Sequence, residues 1–275
     1  MEFNKEIVTS IQQLKNELND NYKKLKVESD EALMRDRLFF KIMDYLTKRW
    51  SMHFLNLVDR EADRLKDMRM NNPSELNYLE EAYRIAKEDA GKVLKRYPSL
   101  LDETCKAFRI DLDTNSPHPK YGIKNGFFRL EIIESKRIAK LTDPEGKLAE
   151  LPADIEAVVE VIRKEFDRVF DRKFDRAKFL KQLRSNYKKV IKKRLDIDGS
   201  SIPIKEITKV LRMKDKGFRM DEFIADLSNL AEKGPFEIDG RIIDLQQTKD
   251  TNQGILLIGA AARGYIGFIV FKEKL

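Results

Sequence analysis

The sequence predicts an α+β protein that is predominantly helical. Apolar residues recur at helical spacing through almost all of residues 1–109, and this part carries no strand signal. Alternating apolar and polar residues, together with turn-forming dipeptides, first occur after residue 124. We therefore expect an all-helical domain over 1–109, a linker over 110–124 and an α+β domain over 125–275.

The first predicted helix covers residues 1–28 and has heptad-like spacing. Its apolar positions alternate between steps of four and three residues, with Asn21 in the same stripe; they are Ile7, Ile11, Leu14, Leu18 and Leu25. About three heptads are marginal for an autonomous coiled coil. Two interpretations stay open: the helix packs on its own chain, or it is a partner-binding or dimerising helix.

Three further helices complete the predicted N-terminal domain. Ser29 or Asp30 is a candidate cap for a helix from Glu31 to about Met70, with a break near Ser51. A stop at Pro73 precedes predicted helices over 75–95 and 99–109, which Pro98 separates.

The strand signal begins after the linker. Phe128, Leu130 and Ile132 alternate with charged residues, which is typical of a strand. Asp143, Pro144 and Gly146 provide turn chemistry, and "KLAEL" is a candidate short strand. A helix from Pro152 to about Phe170 follows, and two terminal strands are expected over 254–259 and 265–272.

Composition narrows the class of protein. Charged residues make up 37% of the chain against about 25% in typical domains, and the net charge of +7 favours an acidic partner. The single cysteine, Cys105, cannot form an intramolecular disulfide, and we expect a buried structural thiol. Two histidines and one cysteine do not supply a usual structural zinc site. Without a signal peptide or a run of about 20 apolar residues, we expect a cytoplasmic protein that binds no membrane, metal or cofactor.

The positive charge is concentrated in one segment. Residues 171–219 contain 17 basic and 6 acidic residues, whereas the rest of the chain nets −4. A predicted helix over 175–195 is apolar on one side and basic on the other, with few acids placed to pair with the lysines. The basic side continues through Lys214 and Lys216. The candidate nucleic-acid-binding residues are Lys181, Arg184, Lys188, Lys189, Lys192, Lys193, Arg194, Lys205, Lys209 and Arg212.

Residues 175–247 resemble a winged-helix domain in the order of their elements. A helix, a short strand, two helices and a hairpin around Asp239-Gly240 follow one another. The third helix of DNA-reading winged helices usually offers basic or amide side chains to base edges. Here that helix, 219–233, is acidic, with Asp221, Glu222, Asp226 and Glu232. Two interpretations remain: the domain holds DNA without sequence preference, or it docks on a protein.

A helical N-terminal domain followed by a winged helix is broadly similar to kleisin-type subunits, which bridge SMC-like ATPases. Our hypothesis is a non-enzymatic DNA-associated subunit of a larger complex. The basic helix would contact duplex DNA, and the N-terminal helices and the acidic winged-helix face would bind partner proteins. A bacterial chromosome-maintenance or antiviral-defence complex fits this layout.

Two alternatives belong to other classes. Asp111 or Asp113, followed by Glu134 and Lys136, is similar to the metal-dependent nuclease pattern of restriction-enzyme-like folds. In that interpretation Asp113 and Glu134 hold Mg²⁺ while Lys136 activates water or steadies the phosphate. The other alternative is a protein scaffold that never contacts nucleic acid.

Overall fold

The computed structural model describes residues 5–71, 77–259 and 264–274. Helices dominate this part of the chain and two small antiparallel sheets accompany them, which confirms the α+β, predominantly helical class. The chain forms two compact units that divide between Gly91 and Lys92.

The first unit is built from helices. They are α1 (Lys5–Thr47), α2 (Ser51–Arg60), α3 (Ala62–Asn71) and α4 (Asn77–Lys95), of which α4 ends in the second unit. The predicted start of a new helix at Ser29 or Asp30 is wrong, because α1 runs through both residues, which lie exposed on its surface. No glycine or proline interrupts the helix there. The chain breaks instead just before Ser51, as predicted.

Packing in this unit is confined to the end of α1 and the helices that follow. Leu38 and Ile42 of α1 are buried, as are Phe54 and Leu55 of α2. In contrast, residues 9–37 of α1 are exposed throughout. Most of the longest helix therefore projects from the core of its unit.

The second unit begins with a helix-flanked sheet. Its elements are α5 (Tyr97–Ala107), β1 (Lys120–Ile123), β2 (Phe128–Ile133), β3 (Ile138–Asp143), β4 (Gly146–Pro152) and α6 (Ile155–Phe170). The four strands form an antiparallel meander in chain order, with Leu130 opposite Leu141. The strands predicted around Phe128 and in "KLAEL" are confirmed, whereas β1 lies within the predicted linker. Cys105 is buried in α5, as predicted.

The rest of the second unit carries the basic segment. Its elements are α7 (Arg176–Arg194), β5 (Ile202–Pro203), α8 (Ile204–Lys214), α9 (Met220–Lys233), β6 (Glu237–Ile238), β7 (Arg241–Thr248), β8 (Ile255–Leu256) and β9 (Tyr265–Glu273). β9 pairs with β5 on one side and with β7 on the other, and β6 pairs with the far side of β7. The predicted strand over 254–259 is shorter than expected, since only Ile255 and Leu256 pair with β9.

The hairpin predicted around Asp239-Gly240 is confirmed. Asp239 and Gly240 connect β6 to β7 with φ angles of 53° and 69°, and a type I′ turn requires positive φ at both central residues. The order α7, β5, α8, α9 and then paired strands agrees with the predicted sequence of elements. The winged-helix assignment itself stays a prediction.

Candidate nucleic-acid interface

The outer face of α7 carries a stripe of lysines. Asp175 caps the helix, since its Oδ1 accepts the backbone amide of Lys178 at 3.0 Å. The opposite face buries apolar residues such as Leu183 and Val190, which fixes the rotation of the helix. That rotation leaves a set of polar residues, spaced four, three and four apart, exposed to solvent: Lys181, Ser185, Lys188 and Lys192.

A cleft lies between this stripe and the β6–β7 turn. Its volume is about 510 Å³, and it is lined by Lys181, Arg184, Ser185, Lys188, Lys189, Lys192, Ile238 and Asp239. Lys188 Nζ lies 2.9 Å from Asp239 Oδ2, and this hydrogen bond lowers the pKa of Asp239. The single carboxylate in the lining therefore offsets part of the charge of one lysine.

Helix α8 runs antiparallel to α7 and extends the basic surface. Lys214, at the end of α8, donates to Asn186 Oδ1, while Arg194 at the end of α7 lies 2.6 Å from Glu206 in the first turn of α8. Lys214 consequently lies beside Lys189, and the neighbouring ammonium lowers the pKa of Lys214. Two like charges are thus held together next to a neutral amide.

Five of the predicted residues form the open part of this surface. They are exposed, and the described residues place no carboxylate within ion-pair distance of them: Lys181, Lys189, Lys192, Lys193 and Lys209. We call these five residues, together with Lys188 and Lys214, the lysine surface. Lys214 was on the predicted basic side but outside the predicted set of nucleic-acid-binding residues.

Arg184 does not belong to the lysine surface, although the sequence analysis placed it there. Its residue is only 3% exposed, and its two terminal nitrogens lie 2.6 and 2.5 Å from the carboxylate oxygens of Asp198. The guanidinium carbon lies 4.9 Å from the ring centroid of Phe271. Arg184 is therefore part of the core. The sequence alone does not distinguish a buried arginine on a helix from an exposed one.

The remaining predicted residues are partly engaged at the border of the surface. Arg194 pairs with Asp196 at 2.8 Å in addition to Glu206, and Arg212 pairs with Glu145 at 2.9 Å. Lys205 donates to the backbone carbonyl of Asn252. The carboxylates offset the charges of Arg194 and Arg212, whereas the carbonyl only restrains the ammonium group of Lys205.

The acidic residues of α9 are turned toward α6 and are not an open surface. Arg168 of α6 binds Asp221 and lies 2.7 Å from Glu222, and Arg172 binds Asp226. Burial acts to raise the pKa of Asp221, but hydrogen bonds from Arg168 and Arg219 outweigh it and lower that pKa. No residue over 221–231 is exposed. The predicted acidic partner-binding face is therefore occupied within the unit, apart from Glu232, which is exposed.

The nuclease alternative requires Asp113 and Glu134 to share one metal ion. Asp113 instead braces the β1–β2 turn, accepting the backbone amides of Asn125 at 2.9 Å and Gly126 at 2.6 Å. Glu134 follows the other end of β2, six residues after Phe128, which corresponds to about 20 Å along a strand. The structure therefore does not bring the two carboxylates together.

Glu134 and Lys136 lie in a single turn of 3₁₀-helix between β2 and β3. Glu134 Oε1 is 2.5 Å from Nε2 of His118, whose Nδ1 is 2.8 Å from the hydroxyl of Tyr121. Within residues 5–71, 77–259 and 264–274, no group of three or more His, Cys, Asp or Glu side chains is arranged to hold a metal ion.

The predicted partner-binding residues lie on the projecting part of α1. Ile11, Leu14, Leu18 and Leu25 are between 56% and 65% exposed. The side chain of Ile7 lies outside the described residues. None of the described helices combines the length and apolar character that crossing a bilayer requires.

Comparison with known proteins gives no relative from which a function can be transferred. No protein-family model, no curated protein and no solved structure matches the chain.

Proposed function

We propose that the chain is a non-enzymatic DNA-associated subunit of a larger assembly, in which the lysine surface holds duplex DNA through its phosphates. The observation that supports this most directly is that five exposed lysines lie together on one surface without a carboxylate partner among the described residues, although nearby arginines such as Arg172, Arg194 and Arg212 are paired. Ordinary solvated surfaces mix the two signs of charge. A surface of one sign favours a partner of the opposite sign.

The dimensions of the surface are suitable for a duplex. Lys181 and Lys192 are eleven residues apart on α7, which corresponds to about 16 Å at 1.5 Å per residue. A major groove is about 12 Å wide, so lysines at the two ends of this stripe can contact phosphates on both sides of one groove. Lys209 and Lys214 on α8 add contacts along a second helix.

The Lys189–Lys214 pair supports an anionic ligand independently of net charge. Bringing two ammonium groups together costs electrostatic energy, and this lowers the pKa of Lys214. A phosphate bound between the two ammonium groups offsets their repulsion. Binding of an anion there therefore lowers the electrostatic energy of the folded chain.

The surface favours binding without sequence preference. Lysine presents a compact point charge, whereas base readout relies on bidentate Arg, Asn or Gln side chains. Helix α9, which would enter the groove of a DNA-reading winged helix, has no exposed residue over 221–231. We propose that DNA contacts are limited to the phosphate backbone, and that the chain associates with other protein chains through α1 and not through the acids of α9.

The test is duplex binding by fluorescence anisotropy over a salt series with three full-length chains. One variant replaces Lys181, Lys189, Lys192 and Lys193 by Glu. A control variant makes the same charge change at four exposed lysines elsewhere, Lys87, Lys92, Lys164 and Lys233. Circular dichroism verifies that both remain folded.

We expect the wild type and the control to bind with a steep salt dependence. The surface variant should lose the four contacts, which reduces the slope of log K against log salt by about 3.6. Equal losses in the two variants, or no binding by the wild type at low salt, would contradict the proposal. The lysine surface would then be a solvated face or a docking site for an acidic protein.

A further inference from the structure

Helix α1 exposes a continuous apolar stripe along residues 9–37, none of which is buried by the described part of its unit. Residues 9–37 are exposed without interruption, which corresponds to about 43 Å of helix. Isolated helices are only marginally stable in water, and packing of an apolar face supplies most helical stability in proteins. The exposed stripe therefore needs a partner.

The stripe has the spacing of a coiled coil. Its large apolar side chains lie four and three residues apart, with Tyr22 beside them: Ile11, Leu14, Leu18 and Leu25. A repeat of 3.5 residues keeps such a seam facing a second helix along its whole length. A helix packed on a sheet or a broad core has a wider apolar face, so the narrow seam indicates another helix as the occupant.

Asn21 indicates which helix is the partner of α1. It falls on the seam between Leu18 and Leu25 and is itself exposed. A buried amide without a hydrogen-bonding partner is costly, so a seam that contains one asparagine favours the alignment in which that asparagine meets another polar side chain. An identical helix, aligned in parallel and in register, sets Asn21 against its own counterpart and every apolar seam residue against the same apolar residue.

Other alignments of two α1 helices give the same seam residues unfavourable partners. An antiparallel pair either sets Asn21 against an apolar side chain or shifts the helices until Leu25 has no partner. A parallel pair displaced by one heptad sets Leu14 against Asn21. In the in-register pair, the residues flanking the seam bring no like charges together over this length, since Glu17 meets Tyr22 and Lys24 meets Ser29.

We propose that the chain forms a homodimer through a parallel, in-register coiled coil of α1 centred on residues 11–25. The proposal does not depend on DNA binding, and its test contains no nucleic acid. Dimerisation would place two lysine surfaces in one particle, so that a bound first surface raises the effective concentration of the second.

The mass of the full chain in solution tests the dimer. Analytical ultracentrifugation should give twice 32.2 kDa at tens of micromolar chain. Leu14→Glu with Leu18→Glu should restore the monomer mass, and both residues are exposed, so the rest of the unit keeps its core. The control, Gln13→Glu with Val27→Glu, adds the same charge on the opposite side of α1 and should remain dimeric.

Cross-linking tests the alignment. In a Cys105→Ser background, Asn21→Cys places a thiol where only the parallel, in-register pair brings it to its own counterpart. Mild oxidation should convert most of this variant, but not a Gln13→Cys control, into a covalent dimer. A monomeric wild type, a seam variant that stays dimeric, or an Asn21→Cys variant that does not cross-link would each overturn the proposal.

Discussion

Arg184 and Asp198 form a two-point ion pair that ties α7 to the loop before β5. The two terminal guanidinium nitrogens lie 2.6 and 2.5 Å from the two carboxylate oxygens. Asp198 also lies 3.1 Å from Nε of Arg241 on β7. One aspartate therefore connects the basic helix to β7.

Replacing Arg184 by Met should destabilise the chain without removing a DNA contact. Arg184 is almost fully buried, and its removal takes two charged hydrogen bonds from Asp198, which keeps Arg241 as its remaining partner. We therefore expect a loss of about 2 kcal/mol in the free energy of unfolding. Urea denaturation measures it. Lys181→Met, a change on the exposed face of the same helix, should alter that free energy by no more than about 0.5 kcal/mol.

The loss in the free energy of unfolding caused by Arg184→Met should become smaller at acidic pH. The hydrogen bond from Arg184 lowers the pKa of Asp198 below that of an unfolded aspartate, which is about 3.9. A lowered pKa stabilises the folded chain above pH 4 and ceases to do so as the pH falls through the folded value. Urea curves at pH 7, 5 and 3 should show equal differences at the first two pH values and a smaller one at pH 3. A difference that grows in acid would contradict the pairing.

Cys105 should be chemically inert in the folded chain. Burial raises the pKa of its thiol to about 12, whereas a free thiol has a pKa of about 8.5. At pH 8 the thiolate fraction should fall roughly a thousandfold on folding, and reaction with Ellman's reagent should slow at least as much relative to the chain in urea. In a Cys105→Ser background, Ser185→Cys on the exposed face of α7 should react at once.

Most of the fold was predictable because it depends on local patterns. Helix α6 and strand β2 follow their apolar periods, and Asp239-Gly240 has the turn chemistry that the hairpin needs. The errors fall where a local signal competes with context. Ser29 and Asp30 are good cap residues, but a cap forms only where the chain turns, and nothing in α1 makes it turn.

The sequence predicted that a lysine-rich surface exists, but not which basic residues belong to it. Counting charges located the basic helix, yet Arg184 and Lys188 look alike in sequence and only packing separates a core arginine from an exposed lysine. The acids of α9 were read as a surface for the same reason. Their partners, Arg168 and Arg172, lie more than 50 residues away in the chain, and no short-range pattern connects them.

Asp239 should restrain DNA binding through Lys188, if the lysine surface binds phosphates. Its carboxylate holds the ammonium of Lys188 at 2.9 Å and is the one acidic group in the cleft lining. Asp239→Asn removes the charge and keeps the turn, because asparagine tolerates the positive φ that this position requires. The freed lysine should raise duplex affinity by roughly two- to fivefold at low salt and steepen the salt slope by up to about 0.9.

A matched substitution separates this local effect from a change in net charge. Glu160→Gln neutralises an exposed carboxylate on α6 that has no ion pair among the described residues. It should leave affinity within about twofold of the wild type, because Glu160 forms no ion pair with the described lysines of the surface, and salt screens charges that are not in contact. If both variants bind more tightly to the same extent, attraction depends on net charge alone and Lys188 makes no phosphate contact. If only Asp239→Asn does so, the cleft between α7 and the β6–β7 turn is part of the interface.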